Sequence, residues 1–302
     1  MPPDFPFYLQ YQRAINGFLR NLFGRWRDEK CSHEVNVVFF ARHLYKIDDL
    51  PDSDDVLSNF PPEWENHVQE MDENYVYIDY YRIISIDGAP SIRADRAESI
   101  LSKCRETIIN WKENSALYYK NGDKAPLEFT ISSAAEGNFL EAINMSLHIF
   151  EQHQKDRALD RTGQMVLVVT AGVGVFDIDM TPKKDKTESK RPLGTKQKDL
   201  KRDTENRVRD LGIGCDLLCL GEQPLHSVPL FRIRAGDENE SFIQYDPPDF
   251  INLNYYRDSP ITLDTDTANI NYVPRIDFQK KVSHHFVFTF LLKIKNIIGR
   301  AK

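Results

Sequence analysis

The chain is poor in the features that make a sequence easy to classify. It has 4 cysteines and 14 glycines in 302 residues, and its net charge is -7. Cys31, Cys104, Cys215 and Cys219 fall at no disulfide-framework or zinc spacing. Cys215 and Cys219 share a predicted strand, so at roughly 3.3 Å per residue their backbones stand about 13 Å apart, too far to bridge or to share a metal. All four read as buried free thiols in a reducing compartment. The acidic total excludes a general nucleic-acid binder, because neutralising phosphate needs a clustered positive surface. Met1-Pro2-Pro3-Asp4 has neither the basic nor the apolar region of a secretory signal. The apolar run Phe286 to Leu292 meets Lys293 and Lys295 far short of a membrane span. A cytosolic chain with no direct membrane insertion is expected, and any membrane location would come through partners. No P-loop and no Gly-x-Ser-x-Gly elbow occurs.

What is present is enough for a core: 41% of the residues are hydrophobic and 11% aromatic. Two runs of strand length, Met165 to Thr170 and Cys215 to Leu220, are bounded by glycines and show no polar alternation, as suits strands covered on both faces. Tyr8, Tyr11, Ile15, Phe18, Leu22 and Trp26 recur at helical spacing, with Leu19 and Phe23 widening the stripe. A compact strand, Val35 to Phe40, follows. Tyr75 to Ile86 is rich in strand formers, and helices are predicted over Arg96 to Lys112 and Phe139 to His153. Helix and strand in alternation define an α/β fold, an open and mostly parallel sheet with helices on both faces. Residues 1–235 are expected to form that domain, and 236–302 an irregular extension packed on it, its last part atypical. Asp48 to Asp72 reads as an acidic loop. Lys183 to Arg209 reads as a solvated loop, although Lys196 to Leu211 can be helical with Leu200, Val208 and Leu211 as its only aliphatics.

Few residues offer chemistry. Gly172-Val173-Gly174 follows a strand as a dinucleotide-binding turn would, but Asp177 stands where the third glycine belongs, so tight-turn packing is preferred. A divalent metal site of the von Willebrand A type needs several hard oxygens: an Asp-x-Ser-x-Ser loop, a Ser or Thr before a middle helix, and a later Asp. Ser132, Ser133 and Asp177 supply the last two elements and the loop is absent. His226, in a proline-flanked turn, has no partner implied by spacing and reads as structural. No cofactor is expected.

Several stretches together resemble a known family. Asp160-Arg161-Thr162-Gly163-Gln164-Met165, Gly172-Val173-Gly174-Val175-Phe176, Gly212-Ile213-Gly214-Cys215-Asp216-Leu217 and Gly221-Glu222-Gln223-Pro224-Leu225-His226-Ser227-Val228-Pro229-Leu230-Phe231 are similar to the N-terminal region of the vacuolar membrane-associated, DEP-domain-containing subunit of the GATOR complex, SEACIT in yeast. So are Ala14 to Leu19, Cys31 to Val35, Gly137 to Asn144 and Val273 to Ile276. The resemblance implies a von Willebrand A-like, SABA-type unit in which Gly172, Gly174, Gly221, Pro224, His226 and Pro229 are structural. It further implies a scaffold that holds the two nitrogen-permease-regulator-like subunits of a Rag GTPase-activating complex. Such a complex restrains target-of-rapamycin signalling when amino acids are scarce, at the lysosomal or vacuolar surface, with its catalytic arginine on another subunit. A first strand before Tyr8 and the family's further domains are missing, Lys183 to Gly194 looks inserted, and Phe286 to Lys302 matches nothing in the family. The competing readings are a metal-dependent ligand-binding domain, and direct GTPase activation through an exposed arginine such as Arg161 or Arg191.

Overall fold

A computed structural model describes residues 12–31, 33–50, 56–71, 74–89, 92–118, 126–152, 165–179, 193–221, 230–237, 240–256 and 289–296. Helix α1 starts as a π-helix, Gln12–Leu19, and continues as an α-helix, Arg20–Asp28. Its buried face is Ile15, Leu19, Phe23 and Trp26, the expected stripe. Strand β1, His33–Lys46, follows. It runs past the expected end at Phe40 because Arg42 and His43, polar in sequence, are both buried. Then come β2 (Gln69–Glu70), β3 (Tyr75–Ile83), β4 (Ile92–Arg93) and helix α2 (Ala97–Ile109). After β5 (Thr130–Ile131) come α3 (Phe139–Gln152), β6 (Met165–Thr170), β7 (Val175–Asp179) and α4 (Leu193–Leu211). The chain continues through β8 (Gly214–Cys219), β9 (Leu230–Asp237), β10 (Glu240–Asp246), β11 (Asn252–Tyr255) and β12 (Thr289–Asn296).

The main sheet has the order β11-β8-β6-β12-β1-β3-β2, with β4 and β5 also on β1. Strands β6, β8 and β11 are mutually parallel, and β12 runs antiparallel to both β1 and β6. Because successive side chains of a strand leave opposite faces, the sheet feeds two cores. Val35, Val37, Phe39 and Ala41 of β1, with Leu167, Val169 and Leu218, pack with α1 and α2. Phe40, Val166, Val168, Cys215, Leu217 and Cys219 pack with Phe139, Ile143 and Leu147 of α3 and Val208 of α4. Helices therefore cover both faces, as the sequence pattern requires. Burying each large side chain of this kind contributes about 1.5–3 kcal/mol.

One expectation changes. From Leu193 the lysine-rich run is helix α4, not a solvated loop: Val208 is buried in the second core, Leu200 and Leu211 pack against it and Thr204 is buried, a stripe too narrow to stand out among the charges. The remainder of that run, 183–192, lies outside the described residues. Past residue 235 the described residues are largely strand. Strand β9 spans that boundary, β10 pairs with it, β11 extends the main sheet beside β8, and β12 enters its interior. A smaller sheet, β10-β9-β7, sets Phe176, Ile178, Phe231 and Ile233 into the second core.

Candidate functional site

In an open α/β sheet the place to look is the rim at the carboxyl ends of the strands. Here the rim is formed by the ends of β1, β6, β8 and β11 and by the turn 132–138 leading into α3. Ser132 N–H donates to the Arg42 carbonyl at 2.9 Å, and Asp177 N–H donates to the Ala135 carbonyl at 2.8 Å, so the turn is tied to β1 on one side and β7 on the other. Ser132, Ser133, Gly137 and Asn138 line one narrow cavity with Thr170 and Phe176, its volume ≈ 10 Å³. A single water needs about that much space, so the cavity admits no larger ligand.

The charge of the rim is paired internally. Arg42 is 1% exposed. It donates from Nε to Asp79 Oδ1 at 2.8 Å and from Nη2 to Asp79 Oδ2 at 3.1 Å, and Nη2 also reaches Glu141 Oε1 at 3.2 Å. Its Nη1 donates to the Glu136 carbonyl at 3.1 Å, and the guanidinium lies 4.1 Å from the Tyr77 ring centroid. Arg42 and Asp79 face each other directly across β1 and β3. Burial alone would lower the Arg42 pKa, but Asp79 and then Glu141 raise it above its ordinary value. Glu141 is raised as well, first by burial and then by Asp79, against the pull of Arg42.

Ser132, Ser133 and Asp177 do gather at this rim, without forming a cation cage. Ser133 Oγ accepts from Glu136 N–H at 3.3 Å and donates to Glu136 Oε2 at 3.2 Å, a side-chain closure of the turn that precedes α3. Both oxygens of Asp177 receive Arg232, from Nε at 2.6 Å and from Nη2 at 2.5 Å. The carboxylate that a divalent ion would use already has a cation. Among the described residues no three His, Cys, Asp or Glu side chains cluster as metal ligands would.

The glycines of the rim have steric reasons. A Cβ on Gly172 would stand 2.8 Å from the Ala134 Cβ, and one on Gly221 would stand 2.9 Å from the Gly172 carbonyl oxygen. The turns after β6 and β8 thus touch backbone to backbone. Gly174 has φ 82°, in the left-handed region. Arg13 Nη1 donates to the Leu220 carbonyl at 2.8 Å and Tyr255 Oη donates to the Val173 carbonyl at 2.9 Å, tying α1 and β11 to the same turns. Pro224, His226 and Pro229 lie outside the described residues, as do Arg161 and Arg191. Cys215 and Cys219 are buried, and burial pushes both thiols up to about 12. No helix among the described residues is long and apolar enough to cross a membrane.

Sequence reading missed the Arg42 cluster entirely. Its one usable signal is the cross-strand register that sets Arg42 opposite Asp79, which becomes readable only once β1 is extended beyond Phe40.

A sheet with helices on both faces and β6, β8 and β11 parallel defines an open α/β domain. Residues 8–233 match the family described as the vWA-like domain of the vacuolar membrane-associated protein Iml1, and the chain belongs to that family. It is 35% identical over 249 residues to a GATOR complex protein Iml1 of Drosophila melanogaster, covering 82% of this chain and 14% of that protein. It is 34% identical over 241 residues to a DEP domain-containing protein of Dictyostelium discoideum, covering 77% of this chain and 9% of the relative. A vacuolar membrane-associated protein IML1 of Pyricularia oryzae is 30% identical over 246 residues, 76% of this chain and 12% of its own. The chain therefore spans only a small part of the length of these relatives.

Proposed function

We propose that this chain is a non-catalytic scaffold segment of a GATOR/SEACIT-type complex. In this reading it holds the two nitrogen-permease-regulator-like subunits and acts on Rag GTPases only through them. The complex it serves stimulates Rag GTP hydrolysis and restrains target-of-rapamycin signalling under amino-acid scarcity, at the lysosomal or vacuolar surface, with the catalytic arginine on another subunit. The observation that carries the reading is the closure of the rim. Where an α/β domain would take a ligand, Arg42 is neutralised by Asp79 and Glu141, and Arg232 by Asp177. Family membership across residues 8–233 and a relative named as a GATOR complex protein add to it. Attachment to a membrane would then be peripheral, through the assembly.

Co-precipitation of the full chain with the two subunits, followed by Rag GTP hydrolysis with and without the chain alone, tests this. The expected result is association with both subunits and unchanged hydrolysis by the chain alone. A folded chain that captures neither subunit would overturn it.

A further inference from the structure

One strand of the main sheet runs against its surroundings. Strand β12 lies between β1 and β6 and is antiparallel to both, so β1 and β6 run the same way on either side of it. Parallel sheets commonly carry an antiparallel strand at an edge; this one is central. It also comes from far along the chain, since the segment 257–288 separates it from β11. The path from β11 crosses three strand spacings, about 14 Å. Fully extended at about 3.3 Å per residue, the connecting segment reaches on the order of 100 Å. Chain length therefore does not confine β12 to the slot of its own chain.

The slot itself is specific. Without β12, β1 and β6 would present facing unpaired ladders between two layers of helices, an acceptor for one extended strand. Besides Val38–Leu291–Val168 on the opposite face, three rungs that share one face are apolar throughout: Phe39–Phe290–Val169, Val37–Leu292–Leu167 and Val35–Ile294–Met165. Their six β1 and β6 residues all belong to, or pack against, the core that meets α1 and α2. Lys293, by contrast, takes the rung between Asn36 and Val166, and Val166 is fully buried. Lysine is a residue type that covered strands seldom include. The slot thus pairs with an apolar alternation on one set of rungs.

We propose that the gap between β1 and β6 is a strand-acceptor site, and that residues 289–296 are an exchangeable donor that passes to a second copy of this chain in reciprocal exchange. An exchanged pair keeps every rung, so its cost is confined to association and to the connecting segment. A strand tethered within its own chain acts on its own slot at an effective concentration of about millimolar, so exchange gains ground as chains are brought together at comparable density.

The test uses full-length chains carrying cysteines on one rung, with disulfides located by peptide mapping to separate them from the four native thiols. A Val37→Cys, Leu292→Cys double variant in dilute solution is expected to form an internal 37–292 link. An equimolar mixture of the two single variants is expected to form a cross-chain 37–292 link, rising about tenfold or more between micromolar and millimolar chain. Val38→Cys with Leu291→Cys repeats the test one rung along, because adjacent antiparallel rungs alternate in spacing and one of the two suits disulfide geometry. An internal link without any cross-chain link would overturn exchange. Absence of both links in folded protein, or a disulfide joining position 37 to some other segment, would overturn the assignment of the strand itself.

Discussion

The indole Nε1–H of Trp111 donates to Nε2 of His43 at 3.1 Å, and the imidazole lies stacked between Tyr80 and Phe129 at centroid distances of 5.2 and 4.1 Å. An acceptor nitrogen must be unprotonated, and burial holds His43 neutral, its pKa pulled down to about 3. The unfolded chain takes up a proton near the ordinary value of about 6.5 and the folded one does not, so stability present above that pH is lost as pH falls toward the folded value. The loss is on the order of 5 kcal/mol over the whole window. In His43→Phe the difference in urea midpoint between neutral and acid pH should shrink. At neutral pH the variant should lose about 1–3 kcal/mol by orphaning the indole N–H. Adding Trp111→Phe should recover part of that loss.

Arg42 should be the least replaceable residue of the rim. It is fully desolvated and satisfies two carboxylates and a carbonyl, so truncating it strands charge in the interior. Arg42→Ala is expected to cost about 3–5 kcal/mol in denaturant unfolding. Because Asp79 is its directly opposed cross-strand partner, a double-mutant cycle with Asp79→Ala should give a coupling of about 1 kcal/mol or more, and additive losses would contradict the paired arrangement.

Glu141 should behave in the opposite sense to His43. Its pKa is raised, with burial the leading cause, so the folded state holds its proton more tightly than the unfolded one. The resulting stabilisation is complete below the unfolded pKa and disappears as pH rises through the folded value. Glu141→Gln keeps an acceptor for Arg42 while removing the titration. It should be nearly neutral at pH 7 and should abolish that component of the pH profile in a series of unfolding curves.

Much of the scaffold was legible because burial follows period. Ile100, Cys104, Ile108 and Trp111 share the helical face read from sequence and are all buried, and Met165 to Thr170 is strand to the residue. What escaped was decided by contacts distant in sequence. Arg42 and His43 look like the end of a strand until Asp79 and Trp111 are brought beside them across 37 and 68 residues. Strand β12 escaped for a related reason: a run interrupted by Lys293 and Lys295 resembles a tail, and only its ladders to β1 and β6 make it part of the sheet. At the site, the gathering of Ser132, Ser133 and Asp177 at one rim was readable from the order of strands. The arginine that meets Asp177 was not, because Arg232 sits on another strand of the smaller sheet.

The contact between the turns after β6 and β8 can be tested with a single methyl group. At Gly221 an added Cβ meets main-chain oxygen, Gly172 at 2.9 Å and Ala171 at 3.2 Å, whereas at Gly172 it meets the Ala134 side chain at 2.8 Å. Backbone yields less readily than a methyl. Gly221→Ala should therefore cost more than Gly172→Ala, both within about 1–3 kcal/mol for overpacking. Gly212→Ala, where nothing stands within 4 Å of the added carbon but φ is 62°, should show only the backbone cost of about 1–2 kcal/mol. Thermal unfolding of the three variants ranks them.

Scaffold and metal-dependent ligand-binding domain differ in what Asp177 is free to do. A hard divalent cation needs a free carboxylate, and Arg232 occupies both oxygens of Asp177 in a bidentate pair. The Asp177 and Arg232 side chains are 21% and 38% exposed, so the pair itself should be worth only about 0.5–1 kcal/mol. Calorimetric titration of the full chain with magnesium or manganese is expected to give no saturable heat. Arg232→Ala should change stability little and, by releasing the Asp177 carboxylate, is the variant expected to gain a weak response. Saturable heat from the unaltered chain, abolished by Asp177→Asn, would instead favour a ligand-binding domain over a scaffold, because the cation would then have displaced an arginine that the fold had placed there.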